Sequence, residues 1–267
     1  MSEILSAKFV TLIVSVVAVS GVFAVSANEQ QNQQDNWRVS AGLGVFAAQQ
    51  PWKDAQNLIS PFPVLSLSHG RWTFFGEGLV NYSLWDEGPL SLSVGIDYRD
   101  EGYGAENVTK ASSSDNIVFD GYKTPEGDIT FNIRAEWEHW FAEVHQDISS
   151  NSEGMSNKFG FQYPVYTNKR NFNLSASAFI NWQGKSYVQH IYGISGEQVD
   201  EAQGRIAYIP NAATNFGLSI SGQYRIDERW SSMFGAEYLN LDDTIIDSPL
   251  VGRNAVSKIF AMAIYTY

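Results

Sequence analysis

LSLSVGIDYR, residues 90–99, alternates an apolar residue with a small or polar residue at every step. A period of two predicts a β-strand with one apolar face and one polar face. The apolar face carries Leu90, Leu92, Val94, Ile96 and Tyr98. In a soluble sandwich such a face meets a second sheet, whereas in a membrane barrel it meets lipid and the polar face lines the lumen. This strand alone does not decide between the two.

The same alternation recurs along the whole chain. Clear examples are the runs 129–137, 172–182, 216–224 and 255–267, and eleven strand-like runs are found in all. Single-chain bacterial barrels normally have an even number of strands. We therefore expect about twelve strands, with a second short strand hidden in 72–88, and we keep ten as the alternative.

The connections between these runs differ in length in a regular way. Some are tight, as at His69–Arg71 and Asp227–Arg229, whereas the segments 100–127, 183–212 and 242–254 are long and polar. From Glu126 onward, short and long connections alternate. Outer-membrane barrels have short periplasmic turns and long external loops. The sequence therefore predicts an all-β fold: a transmembrane, antiparallel, up-and-down β-barrel over residues 37–267.

The N-terminal segment predicts export. Lys8 precedes an apolar stretch from Phe9 to Val25, which is followed by a small-x-small pattern ending at Ala27. These features indicate a signal peptide over residues 1–27, with a retained membrane anchor as the alternative. Residues 28–36 are a polar leader that we expect to be disordered. The chain has no cysteine, so neither a lipidated cleavage cysteine nor a disulfide is expected.

Composition limits the partners. The net charge is −12, whereas a nucleic-acid-binding surface would be basic. The 8 Trp, 13 Tyr and 16 Phe suit rings at two membrane interfaces. We expect a monomer in the outer membrane of a Gram-negative bacterium, in contact with lipid and lipopolysaccharide.

Charged residues on the predicted polar faces form the candidate site. Those expected to line the lumen are Asp97, Arg99, Arg134, Glu136, Glu138, Glu143 and His145. A turn at His139-Trp140 would pair Glu138 with Phe141, which places Glu136 opposite Glu143 and Arg134 opposite His145. The group could be a hydrolytic His–Asp or His–Glu pair. A charge ladder lining the lumen is the favoured interpretation.

No catalytic, cofactor or metal site is predicted. The four histidines, at 69, 139, 145 and 190, do not show the spacing of a zinc site. The segment 100–127 holds six acidic residues and two lysines: Asp100, Glu101, Glu106, Asp115, Asp120, Glu126, Lys110 and Lys123. We interpret it as a solvated external loop, with a site for a divalent cation or another ligand as the alternative.

The last ten residues, KIFAMAIYTY, predict the strand that closes the barrel. Apolar residues stand at every second position, and Tyr265 and Tyr267 end one face. Such a strand is similar to the signal that the barrel-assembly machinery reads by its edge. The opposite face, from Lys258 to Thr266, is unusually apolar, so we expect the lumen beside it to be packed.

Short motifs in the C-terminal third resemble the MipA/OmpV family of outer-membrane proteins. They are Tyr192-Gly193-Ile194, Ala207-Tyr208, Tyr224-Arg225 and Asp247-Ser248-Pro249, and the likeness extends weakly over the rest of the barrel. Arg205-Ile206 departs from the Leu-Pro-like pair often found in the family. The resemblance implies a monomeric barrel without a catalytic motif. It also implies a scaffold that joins a murein-cleaving lytic transglycosylase to a murein synthase, or a porin-like or adhesive role.

Overall fold

The computed structural model of the protein describes residues 36–76, 78–104, 106–107, 110–111, 114–168 and 171–267. The predicted signal peptide and nearly all of the predicted polar leader lie outside the described residues. No helix among the described residues has the length and apolar composition needed to cross a membrane.

Twelve strands close an antiparallel barrel in which neighbours along the chain pair and the last strand returns to the first. The strands are β1 Arg38–Ala48, β2 Leu58–His69, β3 Trp72–Phe74, β4 Val80–Glu87, β5 Leu90–Arg99, β8 Asp128–Trp137, β9 Trp140–Asp147, β10 Met155–Asn168, β11 Phe172–Gln183, β12 Ala213–Arg225, β13 Trp230–Asn240 and β14 Ala255–Thr266. A separate hairpin pairs β6 (Glu106–Asn107) with β7 (Lys110–Ala111). The helices are α1 (Lys185–Tyr192) and α2 (Asp243–Ile246), with short 3₁₀ turns at Ile117–Phe119, Gly196–Gln198 and Glu201–Gln203.

The prediction of twelve strands is confirmed, including the extra strand expected within 72–88. The break between β3 and β4 has a local cause. Phe75 has a φ of 57° and Gly78 a φ of 151°, and the Phe75 amide donates to the Leu79 carbonyl at 3.2 Å. These left-handed conformations turn the chain back on itself, which the alternation pattern alone does not show.

Side chains alternate between the two surfaces of the barrel as the sequence predicts. On β8, Ile129, Phe131 and Ile133 point outward and are about two-fifths exposed, at 42%, 39% and 40%, whereas Thr130 and Asn132 between them are buried. An apolar outer surface around a polar interior is the arrangement of a membrane-spanning barrel.

The two ends of the barrel differ. At one end the strands are joined by short turns. The first residues of β1 and the last residues of β14 also lie at this end, where the Tyr267 amide donates to the Val39 carbonyl at 2.8 Å. Aromatic pairs follow this end, among them Trp72–Tyr82, Trp140–Phe159 and Trp230–Tyr265. We call it the turn rim. Rings of this kind occupy the membrane–water interface of barrels.

One wall of the lumen is apolar and packed. Six buried side chains from β1, β2, β13 and β14 form a cluster: Phe46, Leu58, Phe62, Met233, Phe260 and Ile264. Glycine lets the strands carry these rings, because a Cβ on Gly44 would lie 2.4 Å from Phe62 Cζ. The expectation of a packed lumen beside the last strand is confirmed.

The long loops at the other end fold together over the barrel into a structure that we call the cap. Its core holds Trp52 from loop 49–57, Val118 and Phe119 from loop 100–127, Val188 and Ile191 from α1, and Ile245 and Leu250 from loop 241–254. Val188, Ile245 and Leu250 are fully buried. The expectation that 100–127 is simply a solvated loop was therefore wrong, since its second half packs into this core.

Candidate functional site: the charged lumen and its cap

The hairpin β8–β9 places Arg134 directly opposite Glu143, with 3.0 Å between Arg134 Nη1 and Glu143 Oε1. The predicted register was wrong by two residues, since Arg134 had been placed opposite His145. The turn is Glu138-His139, flanked by the pair Trp137 and Trp140, because Glu138 adopts a positive φ of 53°. Glu136 consequently faces Phe141 rather than Glu143, and the repulsion between two opposed carboxylates is avoided.

The ionic contacts around Arg134 continue along the wall. Arg134 Nε donates to Glu136 Oε1 at 2.8 Å on the same strand. Glu143 in turn lies opposite Lys158 on β10. Three adjacent strands thus present arginine, carboxylate and lysine in one register row, in which each charge has an opposite charge beside it.

A second set of ion pairs centres on Glu237, and one of them joins strands that are not neighbours in the sheet. Lys158 Nζ lies 3.7 Å from Glu237 Oε2 on β13, and Lys258 Nζ lies 3.0 Å from Glu237 Oε1. Lys158 also sits 3.9 Å over the ring of Phe179. Because β10 and β13 are separated by two strands, this contact is made through the interior of the barrel. We call Glu136, Arg134, Glu143, Lys158, Glu237 and Lys258 the ionic chain.

A row of polar side chains on β8 to β11 lies next to the ionic chain, on the side of the cap: Asn132, His145, Ser156 and Gln183. His145 Nε2 lies 3.9 Å from Glu143 Oε2, which is longer than a hydrogen bond. Nδ1 of His145 and Oε1 of Gln183 are buried without a hydrogen-bond partner among the described residues. The row borders the lumen beside the ionic chain.

Arg99 attaches the cap to the lumen wall. Its Nη2 donates to Glu101 Oε1 at 2.8 Å and to the Tyr187 hydroxyl at 3.3 Å, and Tyr187 donates to Glu101 Oε2 at 2.7 Å. The guanidinium also hydrogen-bonds Ser156 and lies 4.9 Å from the centre of the Tyr187 ring. These residues, which we call the latch, fix α1 over the mouth of the barrel.

The latch shifts the ionisation of Glu101, which lies in the loop after β5. Partial burial alone would raise the pKa of Glu101, but the Arg99 guanidinium and the Tyr187 hydroxyl outweigh it and lower the pKa to about 2. Burial raises the pKa of the Tyr187 hydroxyl well above its usual value. At neutral pH the latch therefore combines a carboxylate, a guanidinium and a neutral phenol.

Arg205 holds two loops of the cap together. Its side chain is 4% exposed and donates to the carbonyls of Val118 at 2.7 Å, Asp120 at 2.8 Å and Gln198 at 2.9 Å. The sequence singled out Arg205 only as a departure from the related family. The structure shows that it donates to three backbone acceptors, of which the buried Val118 carbonyl is shielded from water.

Most of the predicted lumen residues lie on inward faces. Arg134, Glu136, Glu143 and His145 lie around the ionic chain, and Asp97 and Arg99 lie nearer the cap. Glu138 lies in the turn and is exposed, so it does not line the wall. Four further residues of the ionic chain and the latch were not identified from the sequence: Lys158, Glu237, Lys258 and Tyr187. Each stands on a polar face or in a loop, but nothing in the sequence brings these distant positions together.

The arrangement can hold the barrel interior closed by mutual pairing of charges. Among the described residues, no group of three or more His, Asp or Glu side chains is placed to hold a metal ion. Part of loop 100–127 lies outside the described residues, so the alternative of a cation site there stays a prediction.

Comparison with known proteins gives a family match over the barrel. The model of the family "MltA-interacting protein MipA" matches residues 41–267. The chain is 24% identical over 221 residues to the MltA-interacting protein of Escherichia coli (strain K12), which covers 81% of this chain and 85% of that protein. The MltA-interacting protein of Shigella flexneri matches equally well.

Solved barrels show weaker likeness. A Pseudomonas aeruginosa FadL homologue has a TM-score of 0.38 at 10% identity, covering 86% of this chain and 89% of that one. OmpT, an outer membrane protein of Vibrio cholerae, has a TM-score of 0.34 at 9% identity, covering 86% and 98%. None of these scores reaches 0.5, and the architecture rests on the strand pairing itself.

Proposed function

Because the chain belongs to the MltA-interacting protein MipA family, we propose that it is a non-catalytic scaffold of the Gram-negative outer membrane, linked to murein turnover. It acts by contact with other envelope proteins rather than by passing solutes or by chemistry. Its expected partner is a murein-cleaving enzyme of the kind for which its relatives are named.

The observation that carries this proposal is the way the lumen is occupied. Lys158 and Glu237 meet across the interior, an apolar cluster packs along the wall formed by β13, β14, β1 and β2, and the cap lies over one mouth. A porin needs a continuous wet path, whereas here side chains from separate walls touch. This favours a contact role over the porin-like alternative.

The same contacts weaken the hydrolase alternative. A general base must be free to take a proton from a substrate that can reach it. Glu143 is 8% exposed and is bound to Arg134, and Glu136 is bound to the same guanidinium. Both carboxylates act as counter-ions of the Arg134 guanidinium, which is a structural role.

The surface offered to a periplasmic partner is the turn rim. Short turns face the periplasm in barrels of this class. The start of β1 and the end of β14 lie at the same rim. Exposed Trp137, Trp140 and Tyr163 lie beside the turns there, and such aromatic residues are enriched at interfaces. Glu138 and His139 lie at the tip of one of these turns.

Direct binding tests the proposal. The full-length mature protein in lipid nanodiscs is immobilised, and the purified MltA homologue of the same bacterium is passed over it. We expect saturable binding with a dissociation constant of about micromolar or tighter. A Glu138→Lys/His139→Glu variant should bind more weakly, whereas Glu201→Gln in the cap should bind like the wild type. Absence of binding by the correctly folded wild-type protein would refute the role.

A further inference from the structure

We infer that the outer surface of the cap is a docking site for a basic, amphipathic protein segment approaching from the loop side. The surface, which we call the cap patch, consists of Ile117, Val199 and Ile206 with the acidic residues around them. It lies at the opposite end of the barrel from the turn rim, so this inference is independent of the proposed murein partner.

The apolar part of the patch is exposed although the cap beneath it has a well-buried core. Ile117 is 56% exposed, Ile206 57% and Val199 36%. Val199 and Ile206 flank an antiparallel bridge between Asp200 and Arg205, and each of these two backbone amides donates to the other's carbonyl at 2.9 Å. Ile117 precedes Val118, whose carbonyl accepts from Arg205. Each of the three aliphatic residues is thus next in the chain to Arg205 or to a residue whose carbonyl accepts from Arg205.

The loops that present the patch are cross-linked and so pre-organised. Besides the Arg205 contacts, the Gln198 side chain donates to the Lys123 carbonyl at 2.8 Å, and Lys123 Nζ lies 3.0 Å from Glu197 Oε2. A surface held in one conformation before binding loses less entropy when a partner docks. Ile117, Val199 and Ile206 are therefore presented on loops whose positions are set before a partner arrives.

The charge around the patch indicates the chemistry of the occupant. The segments 114–127 and 195–210 contain six acidic residues, Asp115, Asp120, Glu126, Glu197, Asp200 and Glu201, and two basic ones, Lys123 and Arg205. Their sum is −4: Arg205 pairs with Asp200 at 3.3 Å and Lys123 pairs with Glu197, which leaves Asp115, Asp120, Glu126 and Glu201 as the net negative charge. An aliphatic surface inside an acidic rim complements a segment with one apolar and one cationic face. The phosphate groups of lipopolysaccharide would be repelled.

Binding of a defined probe tests the inference. The probe is a fluorescent peptide of about 18 residues, with leucine on one helical face and lysine on the other. Its affinity for the full-length mature protein in phosphatidylcholine nanodiscs is measured by anisotropy. Val199→Ser/Ile206→Ser should weaken binding at least about tenfold, and Asp120→Asn/Glu201→Gln should do the same.

Matched variants at the turn rim are the controls. Ile226→Ser removes an equally exposed isoleucine (54%), and Asp86→Asn/Glu87→Gln removes two exposed acids. Both should bind within about twofold of the wild type. If the patch variants bound like the wild type, or the control variants lost as much affinity, the inference would be wrong.

The lipid alternative has its own readout. Tryptophan placed at position 206 (Ile206→Trp) reports on what covers the patch. The signal of the added tryptophan is the difference between the fluorescence of the variant and that of the wild type, which has 8 Trp of its own. We expect brominated phosphatidylcholine in the nanodisc to leave this difference unchanged relative to unbrominated lipid. Quenching would show that lipid, rather than a protein segment, occupies the surface, and would overturn the inference.

Discussion

Arg134 on β8 and Glu143 on β9 are direct cross-strand partners, and Arg134 Nη1 lies 3.0 Å from Glu143 Oε1 inside the barrel. Both side chains are largely buried, at 15% and 10% exposed. A buried ion pair contributes little when compared with an apolar pair, but removing one partner leaves an uncompensated charge. The stability of variants that lack one partner or both therefore tests the pairing.

Replacing Arg134 alone should destabilise the barrel strongly. We expect Arg134→Met to lower the free energy of unfolding by roughly 3–5 kcal/mol, because Glu143 stays buried without its guanidinium. Arg134→Met/Glu143→Met should recover most of the loss. Urea unfolding in lipid vesicles, followed by tryptophan fluorescence, measures both. A double variant as unstable as the single one would contradict the pairing.

Charge placed on the outer surface should be costly. Ile133 points outward next to the inward Arg134, so Ile133→Arg should cost roughly 2–4 kcal/mol if it lies near the bilayer midplane. Ser177→Asn, on an inward face, should change stability by less than about 1 kcal/mol. The same unfolding assay compares them. Equal effects would mean that the inside and outside of the barrel had been interchanged.

The latch predicts a pH dependence of the cap. The folded pKa of Glu101, about 2, lies below its ordinary value of 4.5. Its contribution to stability is therefore complete above about pH 4.5 and is lost as the pH falls toward 2. Hydrogen exchange of the α1 amides, corrected for intrinsic rates, should speed up between pH 6 and pH 3. Glu101→Gln should exchange faster at pH 6 and lose this pH response. An unaltered response in that variant would exclude Glu101 as its source.

The C-terminal strand should be needed for assembly. Tyr265 packs on Trp230 at 5.1 Å between ring centres and accepts a hydrogen bond from Arg229, and the Tyr267 amide bonds to β1. Deleting residues 265–267 should leave export intact but prevent closure of the barrel, because the edges of β1 and β14 stay unpaired. Loss of the heat-modifiable band on gels reports this. Tyr238→Ala, which removes an exposed ring elsewhere, should assemble normally.

The strands of the barrel could be predicted because the alternation of apolar and polar residues is set within each strand. The two-residue period of LSLSVGIDYR fixes which side chains face lipid, and this holds for each strand without reference to the others. The register could not be predicted with the same accuracy. It depended on Glu138 adopting a positive φ in the turn, and glutamate carries no strong signal for that conformation.

The cap could not be predicted because its contacts join positions far apart in the chain. Trp52 packs on Tyr192 at 5.4 Å between ring centres, and Arg205 reaches Val118 across 87 residues. In α1 the buried Tyr187, Val188, Ile191 and Tyr192 follow a helical spacing, but over eight residues only. A pattern that short does not separate a helix from a polar loop.

Conductance of the pure protein tests most directly the claim that this barrel acts by contact and not by passage. The mature protein is reconstituted in a planar bilayer, and its insertion is checked by heat-modifiability. Because Lys158 meets Glu237 across the lumen and the cap lies over one mouth, we predict no steady ohmic current from the wild type. A stable open channel in the wild-type protein would contradict the account.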